Sequence, residues 1–189
     1  KQEWFENIFA LHFCSVSIGD FPMKQAHNRA IEYTLNNNGI VSFDLNVRLP
    51  LWKAPERLRE AILEMIPKAH ILKISDEELE FVTGGTNIEH ELDKLFVGNV
   101  KLIIFTKGKD GAEIYTKDKV VSIEGNVVEV VDTTGAGDAF CAGTSAGLTY
   151  GKSMLEAMKI GSHLASSVIA SCENVCPCFS QDKFDIVKK

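Results

Sequence analysis

Two rhythms of apolar and polar positions run along this chain. Short apolar runs are bounded by turn residues, and between them lie stretches where apolar side chains recur every three or four positions. The first rhythm predicts buried strands and the second amphipathic helices. Ile8 to Ile18 is an apolar, β-rich run, expected to form a buried strand. Over Phe21 to Asn37, residues Ala26, Ala30, Ile31 and Leu35 share one helical face, and Asn36-Asn37-Asn38-Gly39 ends the helix with Gly39 as its left-handed cap. Ile40 to Phe43 is a strand, Pro55 to Ile66 a helix opened by proline, and His70 to Ile74 a strand. Ser75 then caps a short helix, with Glu78 at the capping-box position and Gly84-Gly85 at its end. Ile88 to Val97 follows as a helix, with Lys101 to Phe105 and Ala112 to Tyr115 as strands. Lys119 to Val131 is expected to be strand-like around a Glu124-Gly125-Asn126 turn, with Val127 to Val131 as its last β segment. Helices over Ala139 to Tyr150 and Met154 to Ala170 complete the pattern, and Ser180 to Lys189 reads as a half-polar helix or frayed end. Alternating strands and helices argue for an α/β fold with a mainly parallel sheet.

The chemistry concentrates in Asp132-Thr133-Thr134-Gly135-Ala136-Gly137-Asp138-Ala139-Phe140. A strand, a glycine turn and then a helix make an anion site, because the first amides of a helix lack internal partners and lie at the positive end of its dipole. Gly135 and Gly137 let the backbone approach a ligand closely. An acid beside a phosphate is costly unless it has chemistry to do. Asp138 is therefore read as a general base that takes a proton from a hydroxyl as phosphate is transferred to it; its alternative is a plain N-cap. The small-sided helix beyond, with Ala139, Ala142, Gly143, Ala146 and Gly147, predicts close packing against a neighbour.

The string resembles the C-terminal signature of the PfkB (ribokinase-like) carbohydrate kinases, Asp-Thr-x-Gly-Ala-Gly-Asp-x-Phe, and matches it at every fixed position. The resemblance implies an ATP-dependent sugar kinase of ribokinase-like, three-layer α/β/α fold. In it Asp138 is the catalytic base, Gly135, Ala136 and Gly137 form the anion hole, and Thr133 lies at the nucleotide. Other segments extend the likeness. Asp44-Leu45-Asn46-Val47-Arg48, followed by Leu51-Trp52, is similar to the Asp-x-Asn-x-Arg segment of fructokinase-like and 2-keto-3-deoxygluconate-kinase-like members, with Leu45 where proline is usual. At a strand's C-terminal end such a segment borders the ligand crevice. Arg48 is read as neutralising phosphate or an acidic substrate group with Asn46 orienting it, or else as a solvated surface arginine. The family's Asn-x-x-Glu, which helps position magnesium and the phosphates, is matched by Ser75 and Glu78, the same pair that can form a capping box. Thr106-Lys107-Gly108-Lys109-Asp110-Gly111 resembles the family's Thr-x-Gly-x-x-Gly, which lies along the nucleotide: Thr106, Gly108 and Gly111 would contact it, and Lys107 or Lys109 would approach its phosphates. A glycine hairpin is the plain alternative. The final helix would wall the adenine pocket. Beyond it Glu173-Asn174-Val175-Cys176-Pro177 departs from the family's Gly-Ala…Pro, which bears on the adenine pocket and on a monovalent-cation site.

Family members carry a Gly-Gly sugar motif and a β-sheet lid upstream, so these residues are expected to be the C-terminal nucleotide-binding and catalytic part of a longer kinase, 1–189 forming one such part. The full-length protein would be a possible homodimer through that lid. Fructose is the expected acceptor, 2-keto-3-deoxygluconate the alternative; a nucleotide-binding relative without turnover is the reading from another class.

The 189 residues are enough for one domain with a real core. A net charge of −6 with no basic stripe argues against nucleic acid as partner, and no apolar run approaches the ~20 residues of a membrane span. With no export signal visible, five cysteines read as reduced thiols in a cytoplasm. The spacing of Cys172, Cys176 and Cys178 is that of neither a zinc ribbon nor a finger.

Overall fold

The computed structural model describes residues 1–19, 22–173 and 175–176. Among the described residues there are six strands and six α-helices; β1, β2, β3 and β4 follow one another in one unit, and β5 and β6 lie side by side in the other. The chain divides into two compact units, Lys1–Phe105 with Tyr115–Lys119, and Thr106–Ile114 with Val120–Lys189.

The first unit contains β1 (Ala10–Cys14), α1 (Pro22–Asn36), β2 (Ile40–Asp44), α2 (Pro55–Met65), β3 (Ile71–Ser75), α3 (Asp76–Thr83), α4 (Ile88–Leu95) and nearly all of β4 (Leu102–Thr106). β1 pairs parallel with β2, and β2 with β3, setting Phe13 opposite Phe43 and Phe43 opposite Leu72. The Phe13 and Phe43 rings stack at 4.7 Å. Parallel strands with helical crossovers are covered on both faces. That is why β2 is buried at Val41, Ser42, Phe43 and Asp44 in succession and shows no alternation. Leu58, Ile62 and Met65 of α2 and Leu79 of α3 join Leu72, Ile74 and Ile103 in its core.

Three expectations are corrected in this unit. β1 stops at Cys14, because Ser15–Ser17 turns into a 3-10 helix in which Ser15 is buried. α1 buries Ile31 and Thr34, while Ala26 is exposed. Thr34 tolerates burial because its hydroxyl donates to the Ala30 carbonyl at 2.7 Å, a local bond that an apolar count overlooks. After α1 the left-handed residue is Asn38, with φ 56°, not Gly39. Gly39 is instead required for space, since a Cβ there would lie 2.7 Å from Thr34 Cγ2. At the end of α3, Gly84 does take the left-handed cap, with φ 83°.

The second unit contains β5 (Ala112–Tyr115, its last residue assigned to the first unit), β6 (Val120–Ile123), α5 (Ala136–Thr149) and α6 (Met154–Ile169). α5 and α6 approach through glycines. A Cβ at Gly143 would lie 2.8 Å from Gly161 Cα, and one at Gly147 2.8 Å from Ala157 Cα. The expected β segment over Val127 to Val131 does not form. Val127, Val130 and Val131 are exposed, and the Val131 and Asp132 N–H groups donate to the Ile169 carbonyl at 2.9 and 3.2 Å. Four valines around Glu129 suit a pleated surface, but a strand needs a ladder partner, and the Val131 and Asp132 amides are spent on the last turn of α6. Cys178, Phe21 and the tail from Ser180 lie outside the described residues.

Candidate functional site

In the first unit, the sequence around the C-terminal ends of β2 and β3 builds a buried polar cluster. β3 ends in Ser75, which caps α3: its hydroxyl accepts the Glu78 N–H at 3.2 Å, while Glu78 Oε2 accepts the Ser75 N–H at 2.8 Å. The capping box is thus formed, and it commits one oxygen of Glu78. The other, Oε1, accepts the Val47 N–H at 2.8 Å, so Glu78 also grips the loop after β2. Asp44 Oδ1 accepts the Asn46 N–H at 3.2 Å. Asn46 takes φ 39°, a left-handed conformation that asparagine tolerates better than most non-glycine residues. Its carbonyl accepts from the Ser15 hydroxyl at 3.3 Å. Arg48 is exposed, with Nη1 donating to its neighbour's carbonyl, Val47 O, at 3.0 Å.

Sequence reasoning missed Lys73. Its ammonium lies 3.1 Å from Asp44 Oδ1 and 3.9 Å from Glu78 Oε2, with all three side chains at most 10% exposed. Burial pushes the Asp44 carboxyl above the usual carboxylate range, against the pull of Lys73. Desolvation roughly cancels the attraction in such a buried pair, so net stability is a poor account of why it is present. The signal was available: a lysine between Leu72 and Ile74 in a buried strand needs a carboxylate nearby.

In the second unit, Asp132 Oδ1 accepts the Thr134 N–H at 2.8 Å and closes a turn, and this bond holds the Asp132 carboxyl below its usual range. The Ala136 N–H donates to the Thr133 carbonyl at 3.2 Å. Gly135 is the N-cap of α5, at φ 82° and with no side-chain cap bond. Asp138 is therefore not the N-cap. It stands three residues into the helix, exposed, in a first turn whose amides have no intrahelical acceptor. Thr133 and Thr134 are exposed beside it.

The Thr106 to Gly111 loop is both a hairpin and a glycine platform. Gly111, at φ 94°, leaves no room for a side chain beside the Ile123 carbonyl, so the plain hairpin accounts for it. Gly108, at φ 53°, faces open space with nothing within 4 Å of a Cβ. Lys107 is engaged by Glu113 at 2.7 Å, which leaves Lys109 the exposed basic residue of this loop. Among the described residues no group of three or more His, Cys, Asp or Glu forms a metal cage, and no helix is long and apolar enough to cross a membrane. The segment tied to a monovalent cation includes Asn174 and Pro177, outside the described residues. Ser75→Ala should lower stability by about 1 kcal/mol through loss of the cap, read in a denaturant melt.

Comparison with known proteins adds relatives to this geometry. The model of the pfkB family carbohydrate kinases matches residues 1–179. Fructokinase-2 of Zea mays is 41% identical over 130 residues, covering 68% of this chain and 39% of that protein. Fructokinase-2 of Solanum lycopersicum is 39% identical over 130 residues, again 68% of this chain and 40% of that protein. The chain thus spans about two fifths of these curated relatives. Among solved structures, fructokinase from Vibrio cholerae O395, bound to fructose, ADP and calcium, superposes with a TM-score of 0.85 at 28% identity, over 93% of this chain and 59% of that one.

Proposed function

The chain belongs to the pfkB family of carbohydrate kinases and has the ribokinase-like fold, and from that premise we propose that it serves the transfer of the γ-phosphate of ATP to a hydroxyl of fructose. The observation that carries this reading is Asp138, an exposed carboxylate in the first turn of α5, directly after a left-handed glycine cap. An acid and an anion-binding helix end in one turn suit a reaction in which a hydroxyl loses its proton as it gains a phosphate. The hydroxyl proton passes to the Asp138 carboxylate. The sugar oxygen bonds to the γ-phosphorus, the bond from that phosphorus to the β-bridging oxygen breaks, and ADP leaves. The Gly135, Ala136 and Gly137 backbone and the positive end of α5 hold the charge on the transferring group. The Ala136 amide gives up its bond to Thr133 O, the longest of this turn, to do so. Thr133, Thr106 and Gly108 line the nucleotide in this reading, with Gly111 shaping the turn that carries them, and the open space at Gly108 suits a ligand lying against the backbone. Asn46 and Arg48 take the acceptor or its incoming phosphate.

Magnesium fits these residues in a restricted way. Both oxygens of Glu78 already accept a backbone N–H, and no cage of several carboxylates exists among the described residues. That donor set suits a cation kept mainly by phosphates and water, which Glu78 would help to hold. Bound there, magnesium supplies neutralisation of the phosphate charge.

The test is a coupled assay of ADP release by the full-length protein, with fructose and 2-keto-3-deoxygluconate in parallel, beside an ATP titration by calorimetry. Fructose-dependent release is the expected result. Release only with the keto-deoxy acid would move the substrate assignment, and ATP binding without turnover on either sugar would overturn the kinase reading.

A further inference from the structure

The Asn46–Arg48 loop is held by two carboxylates, a local one at the end of β2 and a distant one on α3. Glu78 Oε1 takes the Val47 N–H and Asp44 Oδ1 the Asn46 N–H. Glu78 Oε2 meanwhile binds Ser75 N–H, so one side chain ties the first turn of α3 to this loop. Two buried carboxylates facing one site repel, and each alone would be costly to keep dry. The group that resolves this is Lys73, which points at both. At Asn46 the backbone turns through a left-handed φ, which presents its amide to Asp44.

We propose that Lys73 is a positioning residue: its ammonium neutralises the Asp44 and Glu78 pair, so that the two carboxylates clamp the Asn46–Arg48 loop by its backbone amides and set where Arg48 presents its guanidinium. What the loop does rests on the kinase reading above, while the clamp itself does not. The short distance to Asp44 and the longer one to Glu78 give the two carboxylates unequal parts. Asp44 is the direct ion-pair partner, and Glu78 is left to spend its hydrogen-bonding capacity on amides. Lysine suits this role because a compact ammonium fits between two acceptors as a point charge.

The experiment compares amide hydrogen exchange in the full-length protein and its Lys73→Met variant. The Val47 and Asn46 amides should exchange about tenfold faster or more, while Phe43 and Leu72 stay within about twofold. Lys73→Arg should restore part of the protection, and Lys73→Gln serves the same comparison if Lys73→Met does not fold. In turnover, Lys73→Met should lower kcat/KM for fructose about tenfold, and should cost under about twofold more in an Arg48→Ala background, since both act through one loop. Unchanged exchange at Val47 overturns the clamp. Multiplicative losses in the double variant overturn the link to Arg48. A wild-type protein that phosphorylates no sugar fails the kinase reading alone, and the exchange result still decides the clamp.

Discussion

Asp138→Asn should lower kcat for fructose phosphorylation by about 10²–10⁴-fold and leave the ATP Kd within about threefold. The substitution keeps the volume, removes the negative charge and the basic lone pairs, and puts an NH2 donor in place of one oxygen. Asp138 is exposed in the first turn of α5, and the N-cap is Gly135, so the helix does not depend on it for a cap. Helix-dipole stabilisation by an acid at this place is worth about 0.3–1 kcal/mol, too little to affect folding of the unit. Near a bound phosphate its negative charge opposes binding, so neutralising it leaves ATP affinity equal or slightly improved. The two effects therefore separate: chemistry falls by orders of magnitude and binding does not. Steady-state kinetics with calorimetry on the same variant decide it. A kcat within about threefold of wild type would remove Asp138 from the reaction, because general-base assistance contributes at least about 10².

Gly143→Val should destabilise the 189-residue chain by about 3 kcal/mol or more, lowering its melting temperature by roughly 6–12 °C. The opposing term is real: valine is a better helix former than glycine by about half a kcal/mol. Sterics win because the obstruction is backbone. A Cβ at Gly143 lies 2.8 Å from Gly161 Cα and 2.9 Å from Gly161 N, with Leu164 Cδ1 at 2.6 Å. Leu164 can rotate aside, but Gly161 cannot move without displacing α6. Gly161 is itself confined, since a Cβ there would meet the Phe140 carbonyl at 2.5 Å. Ala142→Val, on an exposed position of the same helix, is the control and should stay within about 0.5 kcal/mol of wild type. Calorimetric melts of the two variants test this, and equal melting temperatures would show that α5 and α6 are not in close contact in solution.

Legibility differed between the two kinds of site. The turn within the Asp132 to Phe140 string was legible because its conformation is local: two glycines and a helix start lie within a few residues, and Gly135 takes the left-handed cap. The glycine-rich face of α5 was legible for the same reason, and Gly161 on α6 answers Gly143 across the contact. The capping box at Ser75 and Glu78 formed as expected, but its second function did not show in the sequence. Glu78 reaches Val47, a residue 31 positions earlier, and that bond exists only once β2 and β3 pair in parallel.

By itself, then, the sequence determined what short-range chemistry dictates: the alternation of strands and helices, most element ends, the caps at Ser75 and Gly84, and the Gly135 to Asp138 turn. The tertiary structure decided whatever depends on a distant neighbour. Val127 to Val131 has β composition, yet its last amides bond to Ile169 at the end of α6. Gly39 passes the left-handed conformation to Asn38 and serves as space for Thr34. Lys73 finds Asp44 and Glu78 through strand register. Propensity acts over a few residues, whereas hydrogen-bond partners and buried charges are assigned by packing, and packing is a property of the whole fold.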